Sequence, residues 1–139
     1  MNWWKGISRA WQIYRSLGRR GERAAARLLR RRGYRILARN ARVPMGEADL
    51  VCLAPDRRTV VIVEVKTRLV HRGAGVAVPP EANITAHKQS KLARIARHLA
   101  RCNGWQERPV RIDVVAVEWP VEGVWWPRLP PMRHHEGVL

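Results

Sequence analysis

The chain has 139 residues, 46% of them hydrophobic, and sets 27 Lys and Arg against 11 Asp and Glu for a formal net charge of +16. That length and apolar content suit one domain with a core of its own and exclude a wholly disordered chain, while the charge favours a polyanionic partner. No run reaches the ~18 consecutive apolar residues of a membrane span or the pattern of a signal peptide, so the expectation is a cytoplasmic protein that stays out of the bilayer.

The positive charge is concentrated early: residues 1–42 hold thirteen Lys and Arg and a single acid, Glu22. Trp4, Ile7, Trp11 and Tyr14 recur at helical spacing and predict an amphipathic helix over 1–17. Such a stripe packs on the protein's own body or on a partner chain, or, with Lys5, Arg9 and Arg15 beside it, lies on an anionic membrane or a nucleic acid. A second helix is predicted from Arg19 to Arg32, stopped by Gly33. Ala25, Ala26 and Leu29 share one of its faces with Glu22, whereas Arg23, Arg27, Arg30 and Arg31 occupy the other. Glu22 either answers the helix dipole in the first turn or turns inward for a purpose.

Three strands follow, "YRILARN", "ADLVCLA" and "TVVIVEVKT", then the Gly/Pro loop "GAGVAVPPEAN", a helix from Thr85 to Asn103 closed by Gly104, and a fourth strand, "VRIDVVAVEW". The helix buries Leu92, Ile95, Ala96 and Leu99 and presents His87, Lys91, Arg94, His98 and Arg101 on the opposite face. That stripe is either a solvated face or, being of one sign, a phosphate contact. The tail from Trp119 has no clear period; Trp125 and Trp126 could cover the sheet, meet a partner or stack on bases, and His134 and His135 read as an exposed pair. Cys52 and Cys102 lack metal-ligand spacing and read as buried, reduced thiols. The divisions expected are an extension over 1–17, a domain over 18–119 and a Pro/Trp-rich tail over 120–139.

Charged residues interrupt the second and third strands. A turn over Pro55, Asp56, Arg57 and Arg58 sets Asp49 directly opposite Glu64, with Cβ atoms about 5 Å apart, and the two-residue period puts Lys66 on the same face. Two carboxylates this close repel unless a proton or cation lies between them. A divalent ion with hard oxygen ligands, Mg²⁺ or Mn²⁺, answers that need; the simpler alternative is a structural ion pair between Lys66 and one carboxylate.

The blocks "GERAAARLLRRRGYRILARNAR", "GEADLV", "VVIVEVKTR", "ITAHKQSKLARIARHLA" and "RIDVVAV", in order from Gly21 to Val117, resemble the YraN-type family of small bacterial proteins. The first three also resemble archaeal Holliday junction resolvases of the restriction-endonuclease-like PD-(D/E)xK superfamily. That resemblance implies an α/β fold with a three-layer α-β-β-β-α-β core around a mixed sheet. It also implies a site at Glu22, Asp49, Glu64 and Lys66: Asp49, Glu64 and the Val65 carbonyl holding the metal, Lys66 orienting or activating water. Ala48 stands where the motif's proline would be. The family blocks also contain Glu47, Gln89 and Asp113, to which no chemical role is given.

The expected function is metal-dependent phosphodiester hydrolysis on branched or structured DNA. Arg23, Arg27, Arg30 and Arg31, with Lys91, Arg94 and Arg101, would hold the nucleic-acid backbone, and the resolvase likeness implies a homodimer. Two alternatives stand beside it: a non-catalytic nucleic-acid-binding module of the same fold, and an interaction or membrane-surface adaptor using the Trp/Arg-rich start of the chain.

Overall fold

The computed structural model describes residues 3–71, 84–121 and 129–138, and only the backbone of residues 3–14. In chain order the elements are α1 (Trp3–Arg31), β1 (Arg35–Val43), β2 (Gly46–Leu53), β3 (Val60–Val70), α2 (Ala86–Cys102), β4 (Val110–Pro120) and β5 (Met132–His135). The strands form one mixed sheet in sequence order, with β3 and β4 parallel and every other neighbouring pair antiparallel. The expected α-β-β-β-α-β core is present, and the parallel pair is bridged by the crossover that carries α2.

Each helix covers one face. Ala25, Ala26 and Leu29 of α1 pack on Leu50, Cys52, Val61, Val63, Val115 and Val117. Leu92, Ile95, Ala96 and Leu99 of α2 pack on Ala48, Val51, Val60, Ile62 and Ile112. The central strands are therefore buried on both sides, which is why "VVIVEV" reads as continuously apolar rather than alternating. None of the helices among the described residues is long and apolar enough to cross a membrane.

Three local expectations change. The two helices predicted over 1–17 and 19–32 are one continuous helix. Gly18 does not break it, since one glycine costs a helix only about 1 kcal/mol, and Gly21 has a packing reason: a Cβ there would collide with the Thr67 side chain of β3. The helix then ends as expected at Gly33, with φ +87° and the Tyr34 N–H donating to the Leu29 carbonyl. Second, Cys52 is buried but Cys102 is exposed, because it lies at the last turn of α2 beside His98 and away from the apolar stripe. Trp4, Ile7, Trp11 and Tyr14, the loop glycines and prolines up to Pro80, and Trp125 and Trp126 fall outside the described side chains.

Third, the tail supplies a strand, and the His134 side chain is buried rather than exposed. Val114 to Val117 of β4 pair with His135 to Met132, and the His134 Nε2 lies 2.8 Å from Asp113 Oδ2. Asp113, fully buried, also accepts two hydrogen bonds from Arg111, each at 2.8 Å, and one from the Gly137 N–H at 3.0 Å. Arg111 donates onward to the Tyr34 hydroxyl, which donates to Glu136. Burial alone would raise the Asp113 carboxyl, but His134, Arg111 and Gly137 together hold it below its ordinary value. Asp113 is thus the fastening point of β5. His134→Leu is expected to cost about 2 kcal/mol in chemical denaturation, the range for a lost hydrogen bond to a buried charge; a loss under about 0.5 kcal/mol would show that Arg111 alone suffices.

Candidate active site

The hairpin between β2 and β3 closes on Asp56, whose carboxylate accepts from the backbone N–H groups of Arg58 and Thr59 and from the Thr59 hydroxyl. Arg57 takes φ +62° in that turn. This fixes the register at Leu53↔Val60, Cys52↔Val61, Val51↔Ile62 and Leu50↔Val63. Asp49 and Glu64 are the next opposed residues, just past the last ladder pair. Beyond Val63 the strand β3 stays paired to β4 as far as Val70↔Pro120, while the Asp49 carboxylate Oδ2 accepts from the Val65 N–H at 2.7 Å. A side chain thus takes the hydrogen bond that a neighbouring strand would otherwise make.

Glu64 is held from two elements. Its Oε1 lies 3.2 Å from the Lys66 ammonium, two residues on in β3, and 3.1 Å from that of Lys88 in the first turn of α2. Thr85 caps this turn, its hydroxyl accepting from the Lys88 N–H. The contact with α2 places Glu64 and Lys66 on the α2 face, in step with Ile62. Glu22 arrives from α1, where Gly21 lets the helix backbone press onto β3. With its amide turned to donate, Asn40 reaches Glu22 Oε2 at 3.2 Å and Glu47 Oε1 at 3.1 Å.

The electrostatics follow from this crowding. Burial pushes the Asp49 carboxyl up to about 7, with Glu64 the next contributor and Glu22 a smaller one, against the lowering effect of the Val65 N–H. Glu22 is raised as well, first by burial and then by Glu47, with Asn40, Arg19 and Arg39 opposing. Lys66 is lowered, first by burial and then by its contact with Lys88. Lys88 moves the other way: burial pulls it down, but the Glu64 carboxylate in contact with it holds its proton.

The sequence-derived residues Asp49, Glu64 and Lys66 are therefore neighbours, and Glu22 is near enough to act on Asp49. Among the described residues no three His, Cys, Asp or Glu side chains converge as a ready-made metal cage. Lys88 was not foreseen; it falls between His87 and Lys91, off the basic stripe. The proposed backbone-binding residues separate into two layers. Arg23, Arg30 and Arg31 are exposed on α1 and Arg27 is half-buried there, whereas Lys91, Arg94 and Arg101 are exposed on α2 across the sheet. Lys91 runs over Gly46, where a Cβ would fall 2.7 Å from its Cε.

A family profile described as "Uncharacterised protein family UPF0102" matches residues 21–117. The chain is 50% identical over 105 residues to a UPF0102 protein of Symbiobacterium thermophilum, covering 75% of this chain and 83% of that one. It is 46% identical over 107 residues to one from Clavibacter michiganensis subsp. michiganensis, covering 77% and 86%. A relative from Rhodopirellula baltica is 38% identical over 123 residues, covering 88% and 70%. The matched span holds Glu22, Asp49, Glu64, Lys66 and Lys88.

Proposed function

Since the chain belongs to the uncharacterised protein family UPF0102, the YraN-type family its motifs resemble, we propose that it is a divalent-cation-dependent nuclease acting on branched or otherwise structured DNA. The observation that carries this reading is the meeting of Asp49 and Glu64 at the point where β2 and β3 cease to pair, with Lys66 beside them.

The donor set fits Mg²⁺ or Mn²⁺: two carboxylates, with the Val65 carbonyl in the strand between Glu64 and Lys66, are hard oxygen ligands, and the repulsion that raises Asp49 is the kind a cation relieves. Asp49 and Glu64 would hold the ion, with Val65 contributing its carbonyl and Glu22 assisting from α1. Such an ion, when bound, polarises a phosphoryl oxygen and lowers the pKa of a coordinated water. Lys66, whose ammonium burial holds below its ordinary value, orients or activates the attacking water and faces the phosphate. The basic faces hold the sugar-phosphate backbone through charge, with little base readout.

Replacing Lys91, Arg94 and Arg101 together with Glu is expected to flatten the dependence of log affinity on log salt by about 3, near one unit per lost phosphate contact. Fluorescence anisotropy with a labelled four-way junction across a salt series measures it. An unchanged slope assigns the backbone contacts to the α1 face instead.

A second reading, a binding module without turnover, draws on the two lysines that already neutralise Glu64. Cleavage assays on linear, flapped and four-way DNA with Mg²⁺ or Mn²⁺ separate the two.

A further inference from the structure

Glu64 receives more positive charge than one carboxylate needs. Lys66 and Lys88 converge on the same oxygen, Oε1, at 3.2 and 3.1 Å. The Glu64 side chain is 13% exposed, so neither contact is a surface pair of the kind that contributes nothing. The two lysines differ in freedom. Lys66 is fixed in β3 between pairings to β4 on either side, and its side chain is 25% exposed. Lys88 reaches in from the first turn of α2 with a side chain 35% exposed, so it can leave Glu64 for solvent or for a phosphate without moving a strand.

We propose that Lys88 is a built-in counter-cation of Glu64 that a divalent ion must displace, and that its ammonium then serves the substrate phosphate, so that ion and nucleic acid bind cooperatively. The inference rests on the nuclease reading and adds to it a positioning residue and a coupling. Its basis is charge. Asp49 and Glu64, with Glu22 nearby, bring at most three negative charges; a divalent ion and two lysines bring four positive ones. The excess repels the ion while Lys88 stays in place. A phosphodiester brings one negative charge per phosphate, and Lys88 moving onto it removes the repulsion and gains a charge-assisted hydrogen bond. Linkage makes the effect reciprocal: whatever the ion gains from the nucleic acid, the nucleic acid gains from the ion. Lys88 thereby keeps the site from being loaded before substrate arrives.

The test is calorimetric titration of the full chain with Mn²⁺ alone at pH 8, for wild type, Lys88→Met, Lys88→Arg and Asp49→Ala. Lys88→Met, which keeps the chain length and loses the charge, is expected to bind Mn²⁺ about tenfold more tightly than wild type. Lys88→Arg should stay within about twofold of wild type, because the charge is what competes. In parallel, anisotropy of a labelled four-way junction with and without Ca²⁺ at constant ionic strength should show a Ca²⁺-dependent gain in wild type that shrinks in Lys88→Met. Tighter ion binding is a gain that a damaged fold does not produce. If wild type binds Mn²⁺ through Asp49 and Lys88→Met leaves that affinity unchanged or weaker, the proposal falls while the nuclease reading stands. If neither wild type nor Lys88→Met binds Mn²⁺ at a site that Asp49→Ala removes, both fall.

Discussion

Asp49→Asn should make the protein more stable, and increasingly so as pH rises from 4 to 8. The Asp49 carboxyl is raised from its ordinary 3.8 to about 7 by burial and by Glu64. The folded state therefore holds the proton more tightly than the unfolded state does. No penalty exists below pH ~4, where both states are protonated; stability falls as pH climbs through the window and the full penalty is present above pH ~7. A shift of about three units corresponds to up to about 4 kcal/mol at pH 8. Asparagine keeps an oxygen to accept from the Val65 N–H and drops the charge, so the variant should gain roughly 10 °C in Tm at pH 8 and little at pH 4. Thermal melts of both proteins across that range measure the difference directly, and a difference that does not change with pH would mean that Asp49 is not strained by its neighbours.

Activity should move the opposite way. Asp49→Ala and Glu64→Ala should each lower cation-dependent cleavage by at least about 10³-fold, since the ion supplies several kcal/mol of stabilisation to charge developing on the phosphate and each 1.36 kcal/mol is a factor of ten. Neither change should weaken DNA binding, because removing a carboxylate lowers repulsion toward the backbone. Lys66→Ala should also lose cleavage, yet weaken junction binding modestly and retain Mn²⁺ affinity, both carboxylates remaining. Three variants with equal losses of cleavage and of binding would point to a shared folding defect in place of distinct roles. The pair of opposed effects at Asp49, stability gained and activity lost, is what a charge kept at a cost for chemistry would show.

The order of elements along the chain and the opposition of Asp49 to Glu64 were legible because both rest on local rules. Alternation fixes which residues share a face, and the Asp56 turn fixes the register. Helix ends at Gly33 and Gly104 were legible for a similar reason, each taking positive φ where the chain turns away. What escaped depends on contacts distant in sequence. Gly21 lies inside the predicted second helix, but the reason for a glycine there appears only with Thr67 seen against it. The strand Met132–His135 carries no β pattern of its own, and its docking depends on His134 meeting Asp113 across 21 residues. Lys88 is indistinguishable from its basic neighbours in sequence. It becomes part of the site only because α2 starts beside Glu64. Asp49 itself was legible as a residue but not as a half-buried group held in the gap between strands by the Val65 N–H.

The central claim is that the Asp49–Glu64 pair supports phosphodiester cleavage. It is tested most directly by incubating the purified protein and its Asp49→Ala variant with a labelled four-way DNA junction, in Mn²⁺, in Mg²⁺ and in chelator. Wild type is expected to give products that require the divalent ion and are absent with the variant. No product from the wild type with either ion, or products that persist unchanged in Asp49→Ala, would contradict it.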